Sequence, residues 1–325
     1  MGYATLTRIR RFSQVAFFAL FLFLLLKTQA PEASTAPPGE IRLPYPASIF
    51  LQTDPLVAIV TALSTRALYK GLIWSLVIII PTVFLGRFFC GWICPLGTLN
   101  HFIGSWNSEK KRGPRLIESN RYKGWQRLKY YILAALLVAA LLGSSLAGVL
   151  DPIALTARSL ALSILPGLNY SLHVLDFKQP YFRQGFLLGM LFLAILALNL
   201  RVTRFWCRAL CPLGALLGWL SRWSILGLEK RPRHCEDCNR CLLHCQGGDD
   251  PIPGAKWRKA ECHLCLNCVN DCPEGGLRFK FFPKGDATVA GPDLQRRKAI
   301  AGLAAGAAAL PLLRSTPGLA VEASD

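Results

Sequence analysis

The chain has 325 residues, of which 52% are hydrophobic and only 17% are charged. Soluble globular domains carry about 25% charged residues, so this composition excludes an ordinary soluble globule, and the high apolar content excludes a disordered chain. The formal net charge of +18 would point to nucleic acid in a soluble protein, whereas in a membrane protein it is typical of loops that face the cytoplasm.

Four apolar runs follow one another along the chain, at residues 12–26, 71–86, 130–150 and 184–200. A membrane-spanning helix needs about 20 mostly apolar residues. The last two runs reach the required range, and Lys27 and Arg87 can extend the first two because their long side chains can place the charge at the membrane surface. Buried core helices are the alternative, but four such runs favour an α-helical integral membrane bundle with four spanning helices.

The lysines and arginines indicate the orientation of this bundle. Residues 1–11 carry three and residues 87–129 carry nine, whereas residues 28–70 and 151–183 carry three each. The positive-inside rule then places the N-terminus, the 87–129 loop and everything after Arg201 in the cytoplasm. We therefore expect a multi-pass protein of the inner (plasma) membrane that binds no nucleic acid. If the first run is instead a cleaved signal peptide, the later topology stays the same.

A short pattern occurs twice in the chain. Residues 87–99 read RFFCGWICPLGTL and residues 204–216 read RFWCRALCPLGAL, with eight of 13 positions identical. An Asp-Pro pair precedes each copy, at Asp54 and Asp151, and each pair is followed by a stretch that predicts a surface helix. Both units start on the same side, so they predict two parallel repeats. The aspartates are expected to be helix N-caps, with a role in binding quinone as the alternative.

After residue 229, polar residues, Gly, Pro and Cys replace the apolar runs. Two cysteine runs there share the spacing C-x2-C-x2-C-x3-C, namely Cys235, Cys238, Cys241 and Cys245, then Cys262, Cys265, Cys268 and Cys272. In two-cluster ferredoxins the first three cysteines of a run bind one [4Fe–4S] cluster and the fourth binds the other. Crossed ligation therefore predicts two clusters, one held by Cys235, Cys238, Cys241 and Cys272, the other by Cys262, Cys265, Cys268 and Cys245.

Other interpretations explain these eight cysteines less well. A zinc site needs two C-x2-C pairs and leaves the third and fourth cysteines of each run without a role. Disulfides do not suit a cytoplasmic segment. One departure from the ferredoxin pattern is Gln246, which stands where a proline would follow the fourth cysteine. The segment is poor in apolar residues, so we expect it to fold around its metal.

Four further cysteines, Cys90, Cys94, Cys207 and Cys211, form two C-x3-C-P motifs at cytoplasmic helix ends. The spacing predicts that each pair lies on one face of a helix, about one turn apart, and that the proline after it breaks or kinks that helix. Two interpretations stay open: buried structural thiols, or two facing pairs that form a third metal or cluster site. No nucleophile and base pair is visible, so catalytic residues are unassigned.

These features predict six segments in chain order. They are a first membrane helix at 1–28, a periplasmic loop, surface helix and second membrane helix at 29–100, a basic cytoplasmic loop at 101–129, the second repeat at 130–228, a small α+β two-cluster ferredoxin domain at 229–292, and an apolar tail led by two arginines at 293–325. The tail is expected to be a fifth membrane helix or membrane-associated, with a Tat-like signal or a fusion remnant as alternatives.

The paired C-x3-C-P-L motifs together with the eight-cysteine run resemble the NapH-type membrane polyferredoxins, which include the NosR and CcoG groups and MauN. The resemblance covers residues 10–285. It implies electron transfer from the quinone pool to a periplasmic reductase, cytochrome or ferredoxin subunit, so the protein would be a quinol dehydrogenase component. The alternative is a CcoG-like assembly or maturation factor that supplies electrons for copper or cofactor insertion.

Overall fold

A computed structural model of the protein describes residues 2–28, 45–66, 71–108, 113–144, 147–164, 185–231, 235, 238–252, 255 and 257–283. The predicted apolar tail at 293–325 lies outside the described residues. Most of the remaining chain is helical, and a two-stranded sheet closes the ferredoxin region.

The helices of the first half are α1 (Tyr3–Thr28), α2 (Tyr45–Gln52), α3 (Pro55–Thr65), α4 (Gly71–Leu85), α5 (Phe88–Trp92), α6 (Pro95–Ser108), α7 (Pro114–Asn120) and α8 (Leu128–Leu141). Those of the second half are α9 (Ala147–Leu150), α10 (Pro152–Ser159), α11 (Gly185–Leu198), α12 (Phe205–Ala209), α13 (Pro212–Leu220), α14 (Arg240–Leu243) and α15 (Asn267–Asn270). The strands are β1 (Leu226–Lys230) and β2 (Leu277–Phe281).

Three helices coincide with predicted spans. Within the described residues, α1 alone is long and apolar enough to cross a membrane, over 24 residues with a mean hydropathy of 1.8. Helices α4 and α11 match the second and fourth apolar runs but have only 15 and 14 residues. Large apolar side chains are exposed on all three, for example Phe12 (76%), Ile73 (69%) and Leu187 (70%). Such surfaces are typical of helices that face lipid or a partner. Because α4 and α11 are shorter than a membrane span, the four-span bundle stays a prediction.

The third apolar run, predicted as one helix over 130–150, is divided in the structure. Helix α8 ends at Leu141, and Gly143 follows with φ +85°. The N–H of Ser144 donates to the carbonyl of Ala139 at 2.9 Å, which is the closing bond of a left-handed helix cap. Glycine adopts this conformation without a steric penalty, so it ends a helix that the apolar pattern alone would continue.

The helices after the two Asp-Pro pairs correct a second expectation. Helices α3 and α10 were expected on the surface, but Leu56 and Ile153 are fully buried and both helices pack in the core of the bundle. Neither helix carries an acidic residue, and apolar residues lie on several of their faces, which favours burial. The predicted N-caps are confirmed: Asp54 accepts from the N–H of Leu56 at 2.7 Å, and Asp151 accepts from the N–H of Ile153 at 2.9 Å.

The ferredoxin region is a small α+β unit held together by β1 and β2. The two strands pair antiparallel, with Leu226 opposite Phe281 and Lys230 opposite Leu277. The unit therefore begins at Leu226, slightly before the predicted boundary at residue 229. Leu228, Leu277 and Trp257 are buried in one apolar cluster with cysteines of both C-x2-C-x2-C-x3-C runs.

Candidate iron–sulfur sites

The first ferredoxin set is brought together from both cysteine runs. Cys241 lies close enough to Cys235, Cys238 and Cys272 for their charges to interact. Burial, followed by these neighbouring thiolates, raises the pKa of Cys241 to about 12. Cys238 is exposed and Cys235 and Cys272 are half-buried, so this set lies at the surface. The grouping contains the fourth cysteine of the second run, as crossed ligation requires.

The second ferredoxin set is buried throughout. Cys245, Cys262, Cys265 and Cys268 are all less than 8% exposed. Cys245 interacts with Cys265, and Cys262 interacts with Cys265 and Cys268. Burial is the main cause that raises the pKa of Cys245, Cys262 and Cys268 well above the usual thiol range. Without metal these thiols are therefore protonated, and metal binding must release the protons.

Each donor set consists of four cysteine side chains, which is the ligand set of a [4Fe–4S] cluster. Among the residues that the structure describes, no three His, Cys, Asp or Glu side chains are close enough together to hold one metal ion. The thiolates around a [4Fe–4S] cubane sit further apart than the ligands of one ion, because the cluster lies between them. The charge interaction between Cys268 and Cys241 links the two sets to each other. The ligand assignment of the eight cysteines is a prediction that this grouping fits.

The C-x3-C-P motifs differ from the expected geometry. The first cysteine of each motif lies on a short helix, α5 or α12, whereas the second cysteine ends that turn and starts the next helix. Cys211 is the N-cap of α13, and its Sγ accepts from the N–H of Gly214 at 3.1 Å. Likewise, Sγ of Cys94 accepts from the N–H of Gly97 at 3.4 Å. The proline begins a helix instead of breaking one, because its fixed φ suits the first helical position.

The two motifs nevertheless meet in the core of the bundle. All four thiols are less than 7% exposed. Cys94 interacts electrostatically with Cys90 and Cys207, and Cys211 interacts with all three of the others. The Nδ2 group of Asn100 also donates to Sγ of Cys207 at 3.5 Å. The structure therefore brings together the four cysteines whose role the sequence left open.

Residues that the sequence analysis missed hold the ferredoxin unit on the helical bundle. Glu261, next to the second cysteine run, forms an ion pair with Lys129 and a second one with Arg87 at 3.5 Å. Tyr130 donates to Oε1 of Glu261 at 3.0 Å. The Lys129 and Arg87 side chains are fully buried, and a buried ion pair of this kind is costly to break. The sequence contains one signal for this ion network: Glu261 is a carboxylate directly before the first cysteine of the second run.

A close backbone contact lies beside this ion network. A Cβ atom at Gly91, between the two cysteines of the first motif, would overlap the carbonyl oxygen of His263. Trp92 Nε1 donates to the carbonyl of Leu264 at 3.1 Å. This contact is part of the interface between the bundle and the ferredoxin unit. Cys90, next to Gly91, lies on one side of it, and Cys262, next to His263, lies on the other.

Comparison with known proteins matches these segments to iron–sulfur proteins. A family model for a "4Fe-4S binding domain" matches residues 68–114 and 184–231, which are the two C-x3-C-P units. Ferredoxin-type protein NapH of Haemophilus influenzae is 28% identical over 255 residues, covering 72% of this chain and 78% of NapH. MJ0750 of Methanocaldococcus jannaschii is 30% identical over 221 residues, covering 63% of this chain and 76% of the relative.

Some relatives are longer than the matched region. YccM of Escherichia coli is 27% identical over 197 residues, which cover 60% of this chain and 51% of YccM. The chain thus spans about half the length of that relative. No solved structure matches the chain.

Proposed function

The chain belongs to the NapH/NosR-type polyferredoxin family, and from that premise we propose that it passes electrons from membrane quinol to a periplasmic redox enzyme. It is an iron–sulfur electron-transfer protein of the ferredoxin type. The quinol donor, the two-cluster count and the periplasmic acceptor are our proposal. Oxidation of one quinol releases two electrons and two protons, and two [4Fe–4S] clusters that each accept one electron suit this donor.

The observation that supports the proposal most is the grouping of Cys241 with Cys272 across the two runs. A zinc ribbon would pair cysteines by their C-x2-C spacing and would not need this crossing. In the proposed protein, Cys235, Cys238, Cys241 and Cys272 hold the outer cluster, and Cys245, Cys262, Cys265 and Cys268 hold the inner one. A cluster supplies one-electron chemistry when bound, while the chain supplies its ligands, excludes water from the inner set and fixes that set against the bundle.

The exposure of the two cysteine sets suggests which part of the electron path each set serves. Cys238 is exposed, whereas all four cysteines of the inner set are buried against the bundle. A redox partner can approach the outer set from solvent, whereas the segment at His263, beside Cys262 of the inner set, packs against Gly91 of the first C-x3-C-P motif. We therefore assign exchange with a redox partner on the cytoplasmic side to the outer set. The inner set is assigned contact with the membrane part, through which the periplasmic acceptor is reached.

A second candidate function is a maturation factor that supplies electrons for copper or cofactor insertion. The four gathered thiols at Cys90, Cys94, Cys207 and Cys211 favour it, because two [4Fe–4S] clusters do not need them and thiolates suit Cu(I). Copper titration of the anaerobically purified protein distinguishes the two functions. Stoichiometric Cu(I) binding that is lost in Cys94→Ser supports the maturation factor, and no binding excludes it.

Iron and acid-labile sulfide analysis of anaerobically prepared protein tests the cluster proposal. We expect iron for at least two four-iron clusters, together with the absorbance and electron spin resonance of reduced [4Fe–4S] centres after quinol is added. Cys238→Ala should remove one of these signals, whereas Lys280→Gln, an exposed residue of the same domain, should keep both. Zinc with little iron, in protein made under anoxic and iron-replete conditions, would overturn the proposal.

The proposed location is the inner membrane, with several spans and the ferredoxin unit in the cytoplasm. Its basis is the uneven distribution of Lys and Arg between the loops. Reporter fusions or cysteine labelling should place residues 40 and 165 outside and residues 115 and 260 inside. A periplasmic signal from residue 260 would reverse the proposed orientation.

A further inference from the structure

Among the residues that the structure describes, four arginines have no solvent exposure. They are Arg10, Arg87, Arg204 and Arg208. Burying a cation is costly unless a counter-charge and hydrogen bonds accompany it. Arg87 shares Glu261 with Lys129, so this one carboxylate serves two buried cations.

Two of these arginines lie beside the inner ferredoxin set. Arg10 donates to the side chains of Gln246 and Asn267 at 3.4 Å each, and its charge interacts with Cys265. The charge of Arg208 interacts with Cys245. A cluster held by four thiolates carries a net negative charge, and hydrogen bonds and net charge around the sulfurs set its potential. Two buried guanidinium groups thus lie beside this set, together with the carboxylate of Asp249, which accepts from Sγ of Cys245 at 2.6 Å.

The other two arginines have the same relation to the C-x3-C-P cysteines. Arg204 donates from Nη1 to the carbonyl of Cys90 at 2.8 Å. Among the residues that the structure describes, its Nε and Nη2 atoms have no hydrogen-bond partner. A Cβ atom at Gly214 would lie 2.9 Å from Nη2 of Arg87 and 3.3 Å from Sγ of Cys211, so that guanidinium lies beside the thiol. Two buried cations therefore border this set, as does the buried carboxyl group of Asp151, which faces Cys94. Two of the three nitrogen atoms of the Arg204 guanidinium are left without a hydrogen-bond partner among the described residues.

The hydrogen bonds around these sulfurs lead to the same conclusion. Gly97, Gly214 and Asn100 donate N–H groups to Sγ of Cys94, Cys211 and Cys207, respectively. A neutral thiol is only a weak acceptor. Three N–H donors and two guanidinium groups around four sulfurs therefore suit thiolates bound to metal better than inert buried thiols.

We propose that Cys90, Cys94, Cys207 and Cys211 hold an anionic iron–sulfur cluster, with Arg87 and Arg204 as its buried counter-charges. This inference rests on the proposed electron-transfer function, to which it adds a third centre inside the helical bundle. Arg87 and Arg204 occupy the same place in the two repeats, three residues before the first cysteine of each motif. They are positioning residues that stabilise the negative charge of the site, and neither is a metal ligand.

The first test needs no variant. Iron and acid-labile sulfide, counted per chain in anaerobic wild-type protein, should correspond to three four-iron clusters. The double variant Cys94→Ser/Cys211→Ser should lose one cluster equivalent and keep both ferredoxin spectra, which also report that the protein is folded. A wild-type count of two clusters would overturn the inference and leave the proposed function standing. A protein without [4Fe–4S] spectra would instead overturn the proposed function.

The second test separates the counter-charge from general packing. Arg204→Met should lose the third cluster equivalent, whereas Arg204→Lys, which keeps the positive charge, should retain most of it with a lower midpoint potential for that centre. Arg201→Met, at an exposed position in the same connection, is the matched control and should keep all three. Full iron content in Arg204→Met, or equal losses in the Met and Lys variants, would contradict the role of Arg204.

Discussion

The two C-x3-C-P units have nearly the same sequence but contact the ferredoxin unit in opposite ways. The position after the first cysteine is Gly91 in the first unit and Arg208 in the second. Gly91 has no side chain and lets the backbone of His263 approach directly. Arg208 instead places its guanidinium between two segments: Nη2 donates to the carbonyl of Arg121 at 2.8 Å, and a Cβ atom at Gly248 of the ferredoxin unit would overlap the same Nη2. The positions that the two units share bring four thiols together. The position at which they differ allows two similar units to contact one ferredoxin unit that has no repeat of its own.

The arginine before each motif shows the same contrast. Arg87 of the first unit points outward to the ferredoxin unit, where Nη1 donates to the carbonyl of Ala260 at 2.8 Å. Arg204 of the second unit stays within the bundle and donates to the carbonyl of Cys90. One residue type at equivalent positions thus borders the thiol set in both repeats, and Arg87 in addition bonds to the ferredoxin unit. The two arginines occupy equivalent positions in the repeats, and the surroundings of each one determine which groups it bonds to.

The largest effect is expected at the ion network of the first unit. Glu261→Gln leaves Lys129 and Arg87 buried without a carboxylate, and breaking a buried ion pair costs about 3–5 kcal/mol. Thermal unfolding in detergent, followed through the absorbance of the ferredoxin clusters, should show an early loss of the ferredoxin unit.

The matched control for this substitution is Glu229→Gln. Glu229 pairs with Lys280 at 3.1 Å on a half-exposed strand, and such pairs contribute about 0–1 kcal/mol. Equal shifts of the unfolding midpoint in the two variants would mean that the Glu261 network does not hold the domain.

The next effect tests the backbone contact of the first unit. Gly91→Ala places a methyl group against the carbonyl of His263, and overpacking of this kind costs about 1–3 kcal/mol. Limited proteolysis should cleave the connection before β1 faster than in the wild type, because the ferredoxin unit separates from the bundle more often.

Gly104→Ala in the same unit is the control. There the nearest atom to a new Cβ outside the helix itself is 3.5 Å away, on Thr203, and replacing a helical glycine by alanine favours the helix by up to about 1 kcal/mol. Unchanged proteolysis in Gly91→Ala, or equal acceleration in both variants, would show that close approach at Gly91 is unimportant.

The smallest effect concerns the two capping aspartates, which the repeats use alike. Asp54→Ala or Asp151→Ala removes an N-cap, and each should lower stability by about 1 kcal/mol. The two carboxyl groups also contact one another, so the double variant should differ from the sum of the single ones. The unfolding midpoints of the three variants measure this coupling, and strict additivity would indicate that the two helix ends are independent.

The sequence predicted features that depend on spacing along the chain. The cysteine spacing predicted the grouping of Cys241 with Cys272, and the Asp-Pro pairs predicted N-caps that the structure confirms at Asp54 and Asp151. It failed where the result depends on contacts between distant segments. Lys129 and Glu261 lie 132 positions apart, and nothing in the local pattern marks them as partners.

The helix boundaries show a second limit of the sequence. Apolar content predicted one helix over 130–150, but Gly143 ends it through a backbone conformation that hydropathy does not describe. The C-x3-C-P spacing likewise fits one continuous helix. The proline after each second cysteine could end a helix or begin one, and only the hydrogen bond from the N–H of Gly214 to Cys211 distinguishes the two.

The unequal exposure of the two ferredoxin sets has a practical consequence for handling the protein in air. Cys238 is exposed, whereas the cysteines of the inner set are less than 8% exposed. Oxygen and chelators reach a centre through its accessible sulfurs. Air exposure should therefore strip the cluster proposed at the outer set first and leave a species that keeps the one proposed at the inner set, so bleaching with time should show two separate phases. Preparations made in air would then underestimate the iron content by one whole centre.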